Sequence, residues 1–227
     1  MAPVALRTRL TRRASKAGVF LPDDLAGKLV DYYELLERWN RKINLTSLED
    51  IDQSIDRLLL EPVIAARHLP AGTQPLDIMD VGSGGGSPAL PLALAGGARA
   101  TLTMVEAKAR KSAFLREAVR QLGLSSARVE NARYEELLTQ PNLHERYDVV
   151  SIRAVRVEPR TLLTLQAFLK TGALMLLFRG PSGPERSTGV IPPLEWVATV
   201  PLVESLRSRL SILRKVSTSS YVPILGA

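Results

Sequence analysis

Nine residues, Asp80-Val81-Gly82-Ser83-Gly84-Gly85-Gly86-Ser87-Pro88, constrain this chain more than any others. Glycines so dense disfavour both helix and strand, so the segment is a turn. It follows a short aliphatic run at 76–81 and opens a helical stretch around 90–94. Strand, glycine turn and helix form the unit at which open α/β sheets place their ligands. Glycines there permit positive φ and let the backbone approach a ligand without a Cβ clash. Glu106 ends the next aliphatic run, 24 residues after Gly82, where a carboxylate can accept both hydroxyls of a ribose. Together these features indicate a nucleoside-containing cofactor. Gly84-Gly85-Gly86-Ser87-Pro88-Ala89 formally fits the dinucleotide fingerprint. Asp80, however, stands at the strand end just before the first glycine; its charge would repel a pyrophosphate and suits the cationic methionine part of S-adenosylmethionine. The pattern favours a methyl donor over NAD.

The rest of the chain supplies a frame for such a turn. Pro22-Asp23-Asp24 reads as a helix start, and Leu25, Leu29, Tyr32, Leu36 and Trp39 form one apolar stripe. Asn40 and the Asn44-Leu45-Thr46 segment end that helix; a second is expected over 55–67, so residues 1–70 read as a helical domain. Strands are expected at 76–81, 100–105, 128–130, 148–152 and 173–178, separated by helices at 90–94, 108–122, near 135–138 and at 159–170. This alternation predicts a parallel, doubly wound α/β sheet. Segment 180–193, with four prolines and three glycines, cannot be a regular helix, and 196–203 with 209–216 reads as an antiparallel pair.

Composition narrows the chemistry. The chain has 227 residues, enough for a core, and no cysteine, which excludes disulfides, thiolate metal sites and cysteine nucleophiles. Two distant histidines, His68 and His144, argue against a zinc site; they read as a helix-end and a loop residue, and no metal is expected. No apolar run approaches the roughly 20 residues of a membrane span, so a soluble intracellular protein is expected. The formal charge of +7 points to a polyanionic partner, most simply nucleic acid. Arg7, Arg9, Arg12, Arg13 and Lys16, with no acid in the first twenty residues, suggest a basic arm that meets phosphate. Arg110-Lys111 reads equally as a solvated face or a phosphate contact. Arg207, Arg209, Arg214 and Lys215 either extend the basic surface or keep a terminal strand pair soluble.

Absences bear on the acceptor. Methylation of pyrimidine C5 generally needs a cysteine, and exocyclic amines are usually gripped by an Asn/Asp-Pro-Pro-aromatic motif where this chain has Ser151-Ile152-Arg153-Ala154. An unprotonated ring nitrogen such as guanine N7 needs neither. Arg153, a charge directly after an apolar strand, must find a partner or a site mouth, and is the strongest single functional candidate.

These residues resemble the bacterial small-subunit ribosomal RNA guanine-N7 methyltransferases, also called the glucose-inhibited division protein B family. The resemblance spans roughly residues 21–177. It rests on Leu35-Leu36-Glu37-Arg38-Trp39-Asn40 with Asn44-Leu45-Thr46, the glycine turn, Arg110-Lys111 with Phe114-Leu115, and Ser151-Ile152-Arg153-Ala154. The block ahead of the turn is the specific part. The resemblance implies a Rossmann-like methyltransferase fold: a mostly parallel seven-strand sheet (residues 71–227) behind an N-terminal helical cap (1–70). It implies S-adenosyl-L-methionine as cofactor, 16S rRNA or the small ribosomal subunit as partner, guanine N7 as acceptor, a cytoplasmic location and a monomer. By position, Gly82 and Ser87 would line the donor site, with Asp80, Gly84 and Gly86 in the same segment. Tyr134-Glu135 would lie against the adenine, Glu106 would keep the ribose, and Arg153 would stand near both donor and incoming base as the catalytic candidate.

Five places depart from the family pattern, one being the Pro/Gly-rich stretch that replaces the helix expected after Arg179-Gly180. Ser87 replaces an aromatic or Leu, Ala89 a glycine, and Arg179-Gly180 a Lys-Gly; Arg57-Leu58-Leu59-Leu60-Glu61-Pro62 stands where His-x-x-Asp-Ser is expected. Two further readings therefore remain open: a methyltransferase of another acceptor, and a non-catalytic RNA-binding relative.

Overall fold

Side-chain alternation along the strands decides which half of the molecule each residue serves. The computed structural model describes residues 3–48, 50–153, 158–181 and 192–217. In β1 (Leu76–Val81), Leu76 and Ile78 join one apolar core while Met79 and Val81 join another. The same split recurs in β2 (Ala100–Val105), β4 (Tyr147–Arg153) and β5 (Leu169–Arg179): Leu102, Val149 and Leu176 face one way, Val105, Val150 and Leu177 the other. Both faces are covered, which is why these strands are nearly continuous apolar runs.

With β3 (Ala127–Glu130), β6 (Leu194–Pro201) and β7 (Arg209–Lys215), the strands form one seven-stranded sheet ordered β3-β2-β1-β4-β5-β7-β6. β1 to β5 pair in parallel, and β7 lies antiparallel between β5 and β6. This is the Rossmann-like, mostly parallel seven-strand sheet expected from the sequence.

Helices α1 (Pro3–Lys16), α2 (Asp23–Asn40), α5 (Ala89–Gly96) and α6 (Ala109–Gln121) pack on the first face, through Leu29 and Leu36 of α2, Leu90 of α5, and Phe114 and Leu115 of α6. Helices α7 (Tyr134–Leu137) and α8 (Pro159–Leu165) cover the second, through Leu137, Leu162 and Leu165. Trp39 is the half-buried anchor its stripe predicts, edge-on to Phe114 with centroids 5.8 Å apart. Asn40 ends α2: its Oδ1 accepts the Leu45 and Thr46 amides, and its Nδ2 donates to the Thr46 carbonyl. The helical segment thus shares a core with the sheet.

The structure refines three expectations. The basic N-terminal stretch is α1, with Leu6, Leu10 and Ala14 buried in the core. Arg7 pairs with Asp23 at 2.9 Å, Arg9 with Asp52 at 3.1 Å, and Arg13 with both Asp52 and Asp56. Neighbouring helices thus supply acids for three of its five charges, and Arg12 and Lys16 stay exposed. The helix expected over 55–67 is α3 (Ile51–Ile55), a π-turn (Asp56–Leu60) and α4 (Glu61–Ala65), closed by a 3-10 turn at Ala66–His68. Lys215 adds nothing to the basic surface: it is buried, and donates to Glu145 and to the Gln166 and Leu169 carbonyls. Most of the expected irregular segment 180–193 lies outside the described residues.

Gly86 locks the two layers together. Its φ is +85°, and a Cβ there would meet Leu90 Cδ1 at 2.7 Å and Tyr32 Cε2 at 3.3 Å. Left-handed strain and overpacking of a fixed contact each cost about 1–3 kcal/mol. Gly86→Ala should therefore destabilise the protein by about 2–4 kcal/mol in urea unfolding; a loss below 1 kcal/mol would show that the contact yields freely.

Candidate active site

Because β1 sits between β2 and β4, the chain leaves the carboxyl ends of β1 and β4 for opposite sides of the sheet. That switch point opens a crevice at the strand ends. The glycine turn closes over it. The amides of Gly82 and Ser83 both donate to the Val105 carbonyl, at 2.9 and 3.1 Å, drawing the turn across the end of β2. Glu106 is buried, and its Oε2 accepts the Gly84 amide at 2.9 Å while its Oε1 accepts the Lys108 amide at 2.8 Å. One carboxylate thus ties the turn to the start of α6. Each oxygen retains acceptor capacity for a further donor.

A cleft of about 370 Å³ lies between Gly82, Glu106, Tyr134, Glu135 and Arg153, floored by Val81, Val105 and Ile152. Gly82 has φ +74°, and a Cβ on it would meet no atom within 4 Å, so its backbone borders open space. A second recess of about 190 Å³ adjoins it, sharing Gly82 and Arg153 and reaching Thr46, Arg57, Ser87 and Lys111. Two larger hollows lie elsewhere. One of about 420 Å³ sits among Leu94, Gly97, Gly123 and Ser125, and an open groove of about 940 Å³ runs along β6 and the turn into β7. Neither combines a glycine turn with strand-end carboxylates.

A polar layer lies beneath the walls, on the cap side of the sheet. Asp80 and Ser151 are register partners, and Ser151 Oγ donates to Asp80 Oδ1 at 2.5 Å. Asp80 is only 1% exposed, and its Oδ2 has no hydrogen-bond partner. Burial pushes its carboxyl up to about 6, against the pull of the Ser151 and Ser83 hydroxyls and the Arg153 charge. Arg153 donates from Nη1 to Glu61 Oε2 at 2.5 Å and from Nη2 to the Arg57 carbonyl at 3.0 Å. From α2, the buried Tyr32 hydroxyl donates to the Gly85 carbonyl at 2.6 Å; burial raises its pKa, so it stays protonated.

The structure gathers Gly82, Glu106, Tyr134, Glu135 and Arg153 around one cleft, and Gly84, Ser87 and Arg153 around the other. Asp80 lies under both rather than on a wall. Gly86 borders neither; packing against Leu90 and Tyr32 demands it, which corrects its assignment to the ligand site. Ala154 lies outside the described residues. Glu61 and Tyr32 were missed. Glu61 had a signal: an acid within the apolar run Leu58-Leu59-Leu60-Glu61-Pro62-Val63-Ile64 must be buried against a cation. Tyr32 reads only as part of an apolar stripe.

The raised Asp80 carboxyl predicts a pH dependence with a definite sign. Between its ordinary value of 3.8 and about 6, the folded state holds a proton that the unfolded state has lost. Stability therefore falls as pH rises through that window, and the penalty is complete above it. Asp80→Asn removes the term. Relative to this variant, wild type should lose stability from pH 4 to 6.5, by at most about 1.4 kcal/mol per pH unit. Urea melts of both proteins across pH check this; a flat difference would show that Asp80 is not strained.

Comparison with known proteins places these features in context. The family model described as rRNA small subunit methyltransferase G matches residues 26–186. A ribosomal RNA small subunit methyltransferase G from Stenotrophomonas maltophilia is 33% identical over 178 residues, 78% of this chain and 80% of that protein. One of the same name from Acetivibrio thermocellus is 30% identical over 185 residues, 79% of this chain and 73% of its own. Among solved structures, a SAM dependent methyltransferase from Aquifex aeolicus superposes with a TM-score of 0.55 at 14% identity, covering 82% of this chain and 99% of that one.

Proposed function

The chain belongs to the rRNA small subunit methyltransferase G family, and from that premise we propose that it transfers a methyl group from S-adenosyl-L-methionine to N7 of a guanine in 16S rRNA. The observation that carries this reading is the strand-end cleft, with Gly82 and Glu106 on its walls and Arg153 joining it to a second, cationic recess.

The residues suit the donor. A cleft of about 370 Å³ falls within the roughly 300–1,000 Å³ usual for small-ligand sites. Gly82 leaves room for a ligand against bare backbone, and Glu106 has acceptor capacity for ribose hydroxyls. Tyr134 and Glu135 border the same cleft and suit an adenine, by a ring face and a hydrogen-bond acceptor. Asp80 beneath, ionised above about pH 6, favours a cationic ligand through its unpartnered Oδ2. The bound donor would supply an electrophilic methyl carried on a sulfonium.

The chain's own work is then binding and alignment. Guanine N7 offers a lone pair and gives up no proton before attack, so no tuned base is required. Arg153, fixed between the two recesses, is suited to grip the O6 edge of the base or its phosphate and to orient N7. Exposed Arg57 and Arg133, with Lys111, supply positive charge around the mouth for the RNA backbone, and the exposed Arg110 adjoins Lys111 in sequence. An rRNA substrate implies a cytoplasmic site of action. Among the described residues no helix is long and apolar enough to cross a membrane.

Nucleoside mass analysis should find 7-methylguanosine in 16S rRNA treated with the protein and donor. Its absence, with donor bound, would favour a non-catalytic relative; methylation of another atom would name another acceptor. The single-turnover rate at saturating donor should be nearly flat from pH 6.5 to 8.5, and a sharp inflexion would indicate an essential base. Gly82→Val should abolish donor binding in calorimetry while the domain stays folded, because a branched side chain would fill the cleft at a left-handed φ. Unchanged affinity would place the donor elsewhere.

Charge gives a separate test. Affinity for the RNA should fall steeply with salt, and Arg57→Ala or Lys111→Ala should each reduce the log–log slope by about 0.7–0.9. Slopes equal to wild type would remove these residues from the RNA path.

A further inference from the structure

Glu61 presents a problem of burial. It is 3% exposed, and the carboxylate partner of Arg153 is the one role its hydrogen bonding shows. Arg153 is gripped from three elements. Nη1 meets Glu61 of α4, Nη2 meets the Arg57 carbonyl of the π-turn, and the guanidinium lies 4.9 Å from the centroid of the Phe178 ring in β5. Its Nε is enclosed and has no partner among the described residues, so the grip leaves that donor unspent.

The Arg57 carbonyl is free for a reason written in the chain. In a regular helix it would accept the Glu61 amide, but in the π-turn that amide goes to the Asp56 carbonyl. The next candidate, residue 62, is proline and has no N–H. Leu58 is treated alike: its regular partner would also be Pro62, and its carbonyl instead accepts Ser87 Oγ at 2.9 Å. The π-turn, Glu61 and Pro62 therefore turn one end of the cap into a socket for Arg153 and a tether for the glycine turn.

Stability alone does not call for such a pair. Buried ion pairs replaced by apolar residues of similar size are often no less stable. What the pair does provide is a single orientation for the residue that lines both recesses. We propose that Glu61 is a positioning residue for methyl transfer, acting through Arg153: it holds the guanidinium where the acceptor must be aligned. This rests on the role given to Arg153 in the proposed function.

The test uses the full chain with 16S rRNA and S-adenosylmethionine. Glu61→Ala should slow the single-turnover rate by about ten- to hundredfold, the usual cost of a misplaced aligning group. Affinity for S-adenosylhomocysteine, read by calorimetry, should change less than about threefold, since Glu61 borders neither recess wall. Glu61→Asp should recover part of the rate. In an Arg153→Lys background the Glu61→Ala effect should largely vanish, because its target is gone. Should Glu61→Ala fail to fold, Glu61→Gln, which keeps size and an acceptor but no charge, carries the same comparison. A wild-type rate in these variants would overturn the role of Glu61 and leave the proposed function standing. So would a loss undiminished in the Arg153→Lys background, which would mark a purely structural acid. A wild-type protein that makes no 7-methylguanosine would remove the proposed function, and this inference with it.

Discussion

A turn that must run left-handed at Gly82, Gly84 and Gly86 has little conformational preference of its own, and the surrounding structure exists to hold it. Glycine adopts their φ values of +74°, +52° and +85° without the Cβ strain that other residues would bear. The carbonyl of Val105 and the carboxylate of Glu106 fix its amides from the β2 side. Tyr32 and the Leu58 carbonyl hold its far end from the cap, through Gly85 and Ser87. The cap is thus more than a lid over the cleft. It completes the hydrogen bonding of the turn, and Gly86 lets it approach closely enough to do so.

Much of the sheet is legible in the sequence because its strands are buried on both faces. β1 and β2 appear at the bounds that their aliphatic runs suggest. Glu106 is legible too, since its spacing from the turn follows from the length of a strand–helix–strand unit. The fate of α1 is not legible from charge. Five cations without an acid look like a nucleic-acid arm until Asp23, Asp52 and Asp56 arrive from other helices. Only the spacing of Leu6, Leu10 and Ala14, every fourth residue, marks α1 as a packed helix. Charge counts say what a segment carries; tertiary partners decide what remains for a ligand.

Departures from the family pattern prove to be coupled. Taken singly, Ser87 in the glycine turn and Glu61 and Pro62 in the 57–62 segment look like losses. In the fold they meet: Pro62 frees the carbonyl that Ser87 takes, and the π-turn ahead of it frees the one that Arg153 takes beside Glu61. Such contacts are expected to be non-additive, since each change is costly without the other. A donor site can therefore keep its geometry while its local sequence drifts, which tempers the case for a non-catalytic relative.

The protonation of the site also bears on its chemistry. Tyr32 stays protonated and spends its hydroxyl on the Gly85 carbonyl. Glu61 is bound by Arg153, Asp80 lies beneath the walls, and both oxygens of Glu106 hold backbone amides. Glu135 is an exposed carboxylate on the larger of the two recesses, beside Tyr134 in α7. Next to Arg153, then, Glu61 is paired with it, Asp80 is buried away from both recesses and Glu106 already holds two amides. Glu135 lines the larger recess and not the one that holds Ser87 and Lys111. Such an arrangement does little for an acceptor that must be deprotonated. It serves an acceptor whose lone pair is ready, needing only to be turned toward the methyl and held there, and a guanidinium gripped from three sides can do that.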